Sequence, residues 1–298
     1  MKNKAFIQLI LSMFIFGTIG IFVKSIQLPR GLIACVRGLG GSVLLLLILL
    51  LTKKKPSLEA IRKNLPILIV SGAAIGINWI LLFESYSYTT VAASTLCYYM
   101  APVFVLIASR LIFKEALGKK KLICAAISVI GAVLVSGIFE NGSKGGLFGC
   151  LLALGAAVFY ASVVLMNKKL SNISPFDSTL IQLASAGSVI LPYTLISEAH
   201  SPFALAPQTI ILLTIVALLH TGIAYTLYFT SIRHLKTDTV AIFSYLDPVV
   251  AVILSLIMGE FMSPTMAIGA ALILGALIFS ETPSTFLKKG GAKNFHRR

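Results

Sequence analysis

Acidic side chains are scarce in this chain. Ten Asp and Glu stand against 25 Lys and Arg, and charged residues of all kinds make up only 12% of the 298 residues. A soluble domain needs more charge than that to wet its surface; with 57% hydrophobic residues and a mean hydropathy of +0.96, the composition is that of an integral membrane protein. Cysteine is also sparse. Cys35, Cys97, Cys124 and Cys150 sit in or beside apolar segments without CxxC or Cys/His ligand spacing, so they read as small buried hydrophobes and no metal site is expected. HExxH and GxxxxGK[ST] are both missing, which speaks against a zinc hydrolase and against an ATP-driven pump unless a partner subunit brings the nucleotide site. The net charge of +15 raises the question of nucleic acid, but the basic residues fall in short clusters between apolar runs with no accompanying aromatic-and-basic face. No nucleic-acid partner is expected, and the clusters are better explained by orientation in a membrane.

Ten apolar runs are long enough to cross a hydrocarbon core about 30 Å thick as helices. They are Ala5 to Val23, Leu32 to Leu51, Pro66 to Phe83, Val91 to Phe113, Leu122 to Phe139, Leu147 to Met166, Ser178 to Ile196, Thr209 to Phe229, Thr239 to Met258 and Met266 to Ser280. The first follows Lys2 and Lys4 and lacks a small-residue cleavage site, so it reads as a retained helix. With the N-terminus cytoplasmic, nearly all Lys and Arg fall on the inner side, including the Lys53–Lys55, Lys119–Lys121 and Lys168–Lys169 clusters and the C-terminal tail. Lys24, Arg30 and Lys144 fall outside, and Arg37 lies within the second helix. Both termini are therefore expected in the cytoplasm, in a multi-pass protein of the cell membrane surrounded by lipid.

The chain also repeats itself. Phe83, Ser85, Tyr99, Pro102 and Val103 recur as Phe229, Ser231, Tyr245, Pro248 and Val249 at one offset of 146 residues, as from Pro102 to Pro248; Glu115 recurs as Glu260. Ten spans in two copies give five per copy, and an odd number forces the second copy to enter from the opposite side. The expected fold is all-α, with ten transmembrane helices as two inverted five-helix repeats over residues 1–140 and 141–298. Bundles of opposite orientation can exchange conformations, opening a site between them to one side and then the other.

These features resemble the EamA-like family of the drug/metabolite transporter superfamily over nearly the whole chain. The resemblance rests on the five-plus-five helices, Pro102 and Pro248, and the Lys114-Glu115 and Gly259-Glu260 turns. Gly131, Gly269 and Gly275 in the helices that follow, and Arg37 in the second helix, add to it. It implies a carrier of small organic solutes, often directed outward, that needs no cofactor. Asp247 and Glu84 depart from the pattern, at positions where the family commonly has uncharged residues.

Residues too polar for their depth are the candidate site. Arg37, about 9 Å below its helix end at 1.5 Å per residue, must snorkel, pair or face a cavity. Gln182, its counterpart in the second copy, favours an inward face. Asn78 needs a hydrogen-bond partner, either a neighbouring helix or a solute, and Trp79 is too deep for the interfacial belt, leaving packing or a cavity wall. Tyr98, Tyr99 and Tyr245 flank Pro102 and Pro248, which are read as kinks and hinges in the middle of two helices. Asp247 lies about 12 Å into its helix, where it is either held by a neighbour for structure or acts as a proton, cation or amine site; His220 is the second titrating group at depth. Arg37, Asn78, Trp79, Tyr98, Tyr99, Tyr245 and Asp247 are thus candidates for solute binding, and Asp247 with His220 for proton coupling. The function expected is secondary transport of a small organic metabolite, such as an amino acid, with export the expected direction. A non-transporting membrane scaffold or an intramembrane enzyme is the alternative. The sequence assigns neither one substrate nor an oligomeric state.

Overall fold

The computed structural model describes residues 2–53, 56–114, 118–136, 144–197, 206–232, 234–235 and 237–281. Glu115, Arg233, Lys236 and the C-terminal basic tail, which entered the repeat and charge arguments, lie outside the described residues. The described chain is helical, with no strand. In order the elements are α1 (Lys2–Ser25), α2 (Arg30–Leu51), α3 (Leu58–Ser85), α4 (Val91–Tyr98), α5 (Ala101–Phe113), α6 (Lys119–Val135), α7 (Lys144–Asn167) and α8 (Pro175–Ser197). There follow α9 (Pro207–Ala217), a π-turn (Leu218–Ile223), α10 (Ala224–Ile232), α11 (Thr237–Ser244), α12 (Leu246–Ile257) and α13 (Pro264–Glu281).

Seven helical spans are long and apolar enough to cross a membrane, and α12 and α13 are shorter apolar helices. Large apolar side chains face outward along them, among them Leu51 at 82% and Ile196 at 79% exposure. Such surface has no stable place in water but matches lipid, so the molecule is a multi-pass membrane protein. Polar side chains turn inward instead: Ser12, Ser71, Ser85, Ser94, Thr221 and Ser231 are all buried, and many donate to a carbonyl one turn back on their own helix.

The helix ends add detail to the expectations. The third helix begins at Leu58, not at Pro66, because Ser57 caps it by accepting the Ala60 N–H, and Pro66 is absorbed within the helix. The fifth run is helix from Lys119 to Val135, and its expected end at Phe139 lies outside the described residues. Pro102 and Pro248 each lie just after a short interruption of the helix, which is where the distortion falls. Chain 91–113 is divided at Tyr99 and Met100, and chain 237–257 at Tyr245. Each proline then sits in the first turn of a new helix, where its missing N–H would have had no helical partner anyway, so the break avoids the cost of an interior proline.

Tertiary pairing runs largely between the two halves of the sequence. α2 packs on α8, α6 on α13, and α3 on both α7 and α8. α1 lies along α10 and α12, while α7 lies along α3, α4 and α5. The α6–α13 contact is closest at Gly131 and Gly269: a Cβ on either would stand 2.8 or 2.6 Å from the other's carbonyl oxygen, so the two backbones meet directly.

Candidate functional site

The site is built where α2, α3, the π-turn and the broken helices converge. Arg37 extends from α2 and is only 6% exposed, so it does not snorkel. Its guanidinium carbon lies 4.2 Å above the centre of the Trp79 ring and 5.7 Å from that of Phe83, both on α3, while Nε donates to Thr221 Oγ1 at 3.0 Å. Stacking on an indole face suits a planar, weakly hydrated cation, and the π system replaces part of the water the guanidinium has lost. Trp79 is thus the wall on which Arg37 rests. Asn78, one residue away, donates from Nδ2 to the Ala156 carbonyl at 2.6 Å, which ties α3 to α7 and is the helix-to-helix reading of that residue.

The π-turn brings Thr221 to Arg37. Its wide winding takes Thr221 Oγ1 to the Val216 carbonyl five residues back, at 3.3 Å, and leaves the oxygen's lone pairs for Arg37. α2 can come this close because it carries no side chain at Gly41: a Cβ there would meet Thr221 Cγ2 at 2.4 Å, and a Cβ on Gly222 would meet Leu44 Cδ2 at 2.1 Å. His220, 0% exposed on the same turn, is 2.8 Å by Nε2 from Thr18 Oγ1 and packs against Phe22, ring centres 4.9 Å apart. The other ring nitrogen, Nδ1, faces the Ile215 carbonyl at 3.4 Å, and the Thr18 hydroxyl also reaches the Ile15 carbonyl at 2.7 Å, so both ring nitrogens have a polar partner.

A second cluster forms at the helix breaks. Tyr99, in the gap between α4 and α5, donates its hydroxyl to Asp247 Oδ2 at 2.6 Å. Its ring meets Tyr98 at 6.1 Å and Tyr245 at 6.3 Å between centres, and Tyr98 continues to Tyr160 of α7 at 5.7 Å. Gly17 of α1 abuts the other side of this segment, where a Cβ would stand 2.6 Å from the Asp247 carbonyl oxygen. Asp247 and Arg37 do not form an ion pair with each other. His220 and Asp247 have separate hydrogen-bond partners, Thr18 and Tyr99, so the expected sharing of a proton between them has no direct contact behind it. The seven residues expected at the solute site therefore fall into an Arg37–Trp79 group, with Asn78 alongside, and a Tyr98–Tyr99–Tyr245–Asp247 group.

Gln182, the counterpart of Arg37, is also turned inward, donating to Ser71 Oγ and Asn167 Oδ1 at 2.7 Å each. Sequence reasoning missed Thr18, Thr221, Tyr160 and the clasp at Glu260. The one ion pair among the described residues joins Glu260 to Lys24 at the end of α1. The same carboxylate accepts the Val91 N–H at the start of α4 at 2.8 Å and the Ser255 hydroxyl of α12. Ser255 in turn accepts the Ala92 N–H at 3.3 Å. A carboxylate at a helix N-terminus complements the unpaired N–H groups there, so Glu260 caps α4 while pinning α1 and α12 to it. Placing Lys24 and Glu260 at the same membrane face was the available signal for the pair; nothing in the run Leu218–Ile223 announces a π-turn.

The comparisons with known proteins agree with this architecture. The chain aligns with the uncharacterized transporter YxxF of Bacillus subtilis (strain 168) at 29% identity, covering 98% of this chain and 93% of that one. It aligns with the uncharacterized transporter YetK of the same organism at 30% identity, covering 92% and 85%. A probable amino-acid metabolite efflux pump of Salmonella typhimurium matches at 29% identity over 58% of this chain and 62% of its own. A solved crystal structure shares the fold with a TM-score of 0.65 at 17% identity, covering 98% of this chain and all of the other. The model of the EamA-like transporter family matches twice, over residues 3–137 and 147–282, and with both halves of its sequence accounted for, the chain belongs to that family.

Proposed function

We propose that the protein is a secondary carrier that moves a small organic metabolite, an amino acid or a similar solute, out of the cell by alternating access. The two five-helix repeats, residues 1–140 and 141–298, are inverted relative to each other and form ten membrane passages, with α4–α5 and α11–α12 each counting as one broken passage. Cross-half pairing of α2 with α8 and α6 with α13 supports this reading, as does the double family match. Both termini lie in the cytoplasm of a cell-membrane protein. The Lys24–Glu260 clasp is then at the outer face and closed, while the end bearing Lys121 and Lys168 is open to the cytoplasm.

The observation that carries the proposal is Arg37: a buried guanidinium seated on Trp79, with no carboxylate in ion-pair contact among the described residues. A charge this deep has to be compensated, and an anionic group of a solute would do so. Asp247, held by Tyr99 at the helix break, is the partner for an amine or a proton, and Pro102 and Pro248 mark the hinges. Proteoliposomes containing the protein should take up members of a labelled metabolite panel, and Arg37→Leu proteoliposomes should not. Absence of flux across the panel for the folded wild-type protein would leave a scaffold or an enzyme as the reading.

A further inference from the structure

A guanidinium carries all its N–H donors in one plane and none on its two flat faces. At Arg37 one face is taken by the indole of Trp79, whose ring centre is 4.2 Å from the guanidinium carbon, and the Nε edge is taken by Thr221, whose Oγ1 receives the Nε–H at 3.0 Å. What is left is the end of the fork. Neither Nη nitrogen has a hydrogen-bond partner among the described residues, although the side chain is only 6% exposed. Among those residues the fully enclosed side-chain nitrogen or oxygen without a partner is Ser128 Oγ of α6, so the Arg37 Nη atoms are not sealed in and border open space. A buried charge with its strongest pair of donors unused and reachable is a site for an oxyanion.

We propose that this end of Arg37 docks a carboxylate, gripped by both Nη nitrogens at once, and that Thr221 is the positioning residue that turns the fork toward it. This rests on the reading of Arg37 as the anchor of the solute and names the group the anchor takes. One N–H from each Nη runs parallel to the other, and the pair matches the two oxygens of a planar carboxylate, a fit that a lysine ammonium does not provide. A sulfonate or phosphonate is tetrahedral and carries a third oxygen out of that plane, where Trp79 presents a ring face and no donor. Charge points the same way. With no carboxylate in ion-pair contact with Arg37 among the described residues, a single negative charge completes the pair, whereas a dianion leaves one charge uncompensated at depth. Thr221 reaches Nε through the π-turn: its proton goes to the Val216 carbonyl five residues back, which turns a lone pair toward α2, and Gly41 leaves the room. Without that bond the Nε–H would compete for the acid group, and the fork could rotate in its plane over the indole.

The test needs no knowledge of the physiological solute, because the single tryptophan of the chain is the one stacked on Arg37 and its emission reads the guanidinium. Full-length protein in neutral detergent is titrated at constant ionic strength with acetate, pentanoate and benzoate, and with the amide and the sulfonate built on the same three bodies. At least one carboxylate should change the emission saturably, its amide should not, and its sulfonate should bind about tenfold more weakly or worse. Arg37→Lys keeps the charge and loses the fork, so it should bind that carboxylate about tenfold more weakly and no longer prefer it to the sulfonate. Thr221→Val should lose the same preference with Arg37 in place, and Thr221→Ser should retain it, a pattern that a merely structural hydroxyl would not produce. No saturable response to any of the three carboxylates, equal affinity for the sulfonate, or an unaltered preference in Arg37→Lys or Thr221→Val would overturn the proposal. The wild-type titration decides by itself where a variant fails to fold. Flux from the metabolite panel is scored separately: flux that depends on Arg37 without a carboxylate preference refutes this inference and leaves the carrier reading, and carboxylate binding without flux does the reverse.

Discussion

Replacing Arg37 by leucine separates transport from folding. The substitution removes a desolvated cation–π contact of about 2 kcal/mol with Trp79 and a charge-assisted hydrogen bond to Thr221 of about 1.5–3 kcal/mol. Against this, it removes the penalty of holding an arginine at depth, about 2.5–3.5 kcal/mol on insertion scales and several kcal/mol when the ion is enclosed in protein. Thr221 is not orphaned, since its hydroxyl still donates to the Val216 carbonyl. The two sides nearly cancel, so stability should change by no more than about 2 kcal/mol. If Arg37 compensates an anionic group of the solute, losing that charge pair costs about 2–5 kcal/mol of binding, which at sub-saturating solute lowers flux by about thirtyfold or more. The assay is initial flux in proteoliposomes normalised to reconstituted protein, with size-exclusion profile and thermal midpoint measured on the same sample. Trp79 is the only tryptophan in the chain, so its fluorescence reports directly on loss of the stacked guanidinium. An Arg37→Leu protein that aggregates or melts far below the wild type would refute the reasoning, as would one that transports normally.

Glu260→Gln should loosen the clasp to Lys24 and the cap on α4, and raise labelling of Ala92→Cys by an impermeant maleimide several-fold in a background without native cysteines; unchanged labelling means the clasp does not hold that face closed. Asp247→Asn keeps the shape of the side chain and removes its titration. Exchange without a gradient should persist while accumulation driven by a pH gradient disappears, and continued uphill transport with the same pH profile would assign Asp247 a structural role. Gly222→Ala drives a methyl into Leu44 and should destabilise by about 1–3 kcal/mol, with Leu44→Ala on the same chain recovering part of the loss; a neutral effect in thermal unfolding would show that the π-turn can withdraw from α2.

Much of this protein is written in its composition and spacing. Length and continuity of the apolar runs establish a membrane protein because each buried backbone must satisfy its own hydrogen bonds in lipid, and the 146-residue recurrence of Tyr99-Pro102 as Tyr245-Pro248 marks corresponding places in the two halves before any coordinate is known. The depth of Arg37 and Asp247 is legible for the same reason: a charge inside an apolar run has few places to go. Partnership is another matter. Helices such as α1 and α7 are apolar all round, so periodicity does not say which side meets protein and which meets lipid. That Thr221 reaches Arg37 depends on a π-turn whose extra winding no residue pattern announces, and on Gly41 and Gly222 letting α2 and the turn touch. That Glu260 joins Lys24 to the start of α4 depends on three helices from opposite ends of the chain meeting at one face, a choice made by packing between backbones more than 160 residues apart.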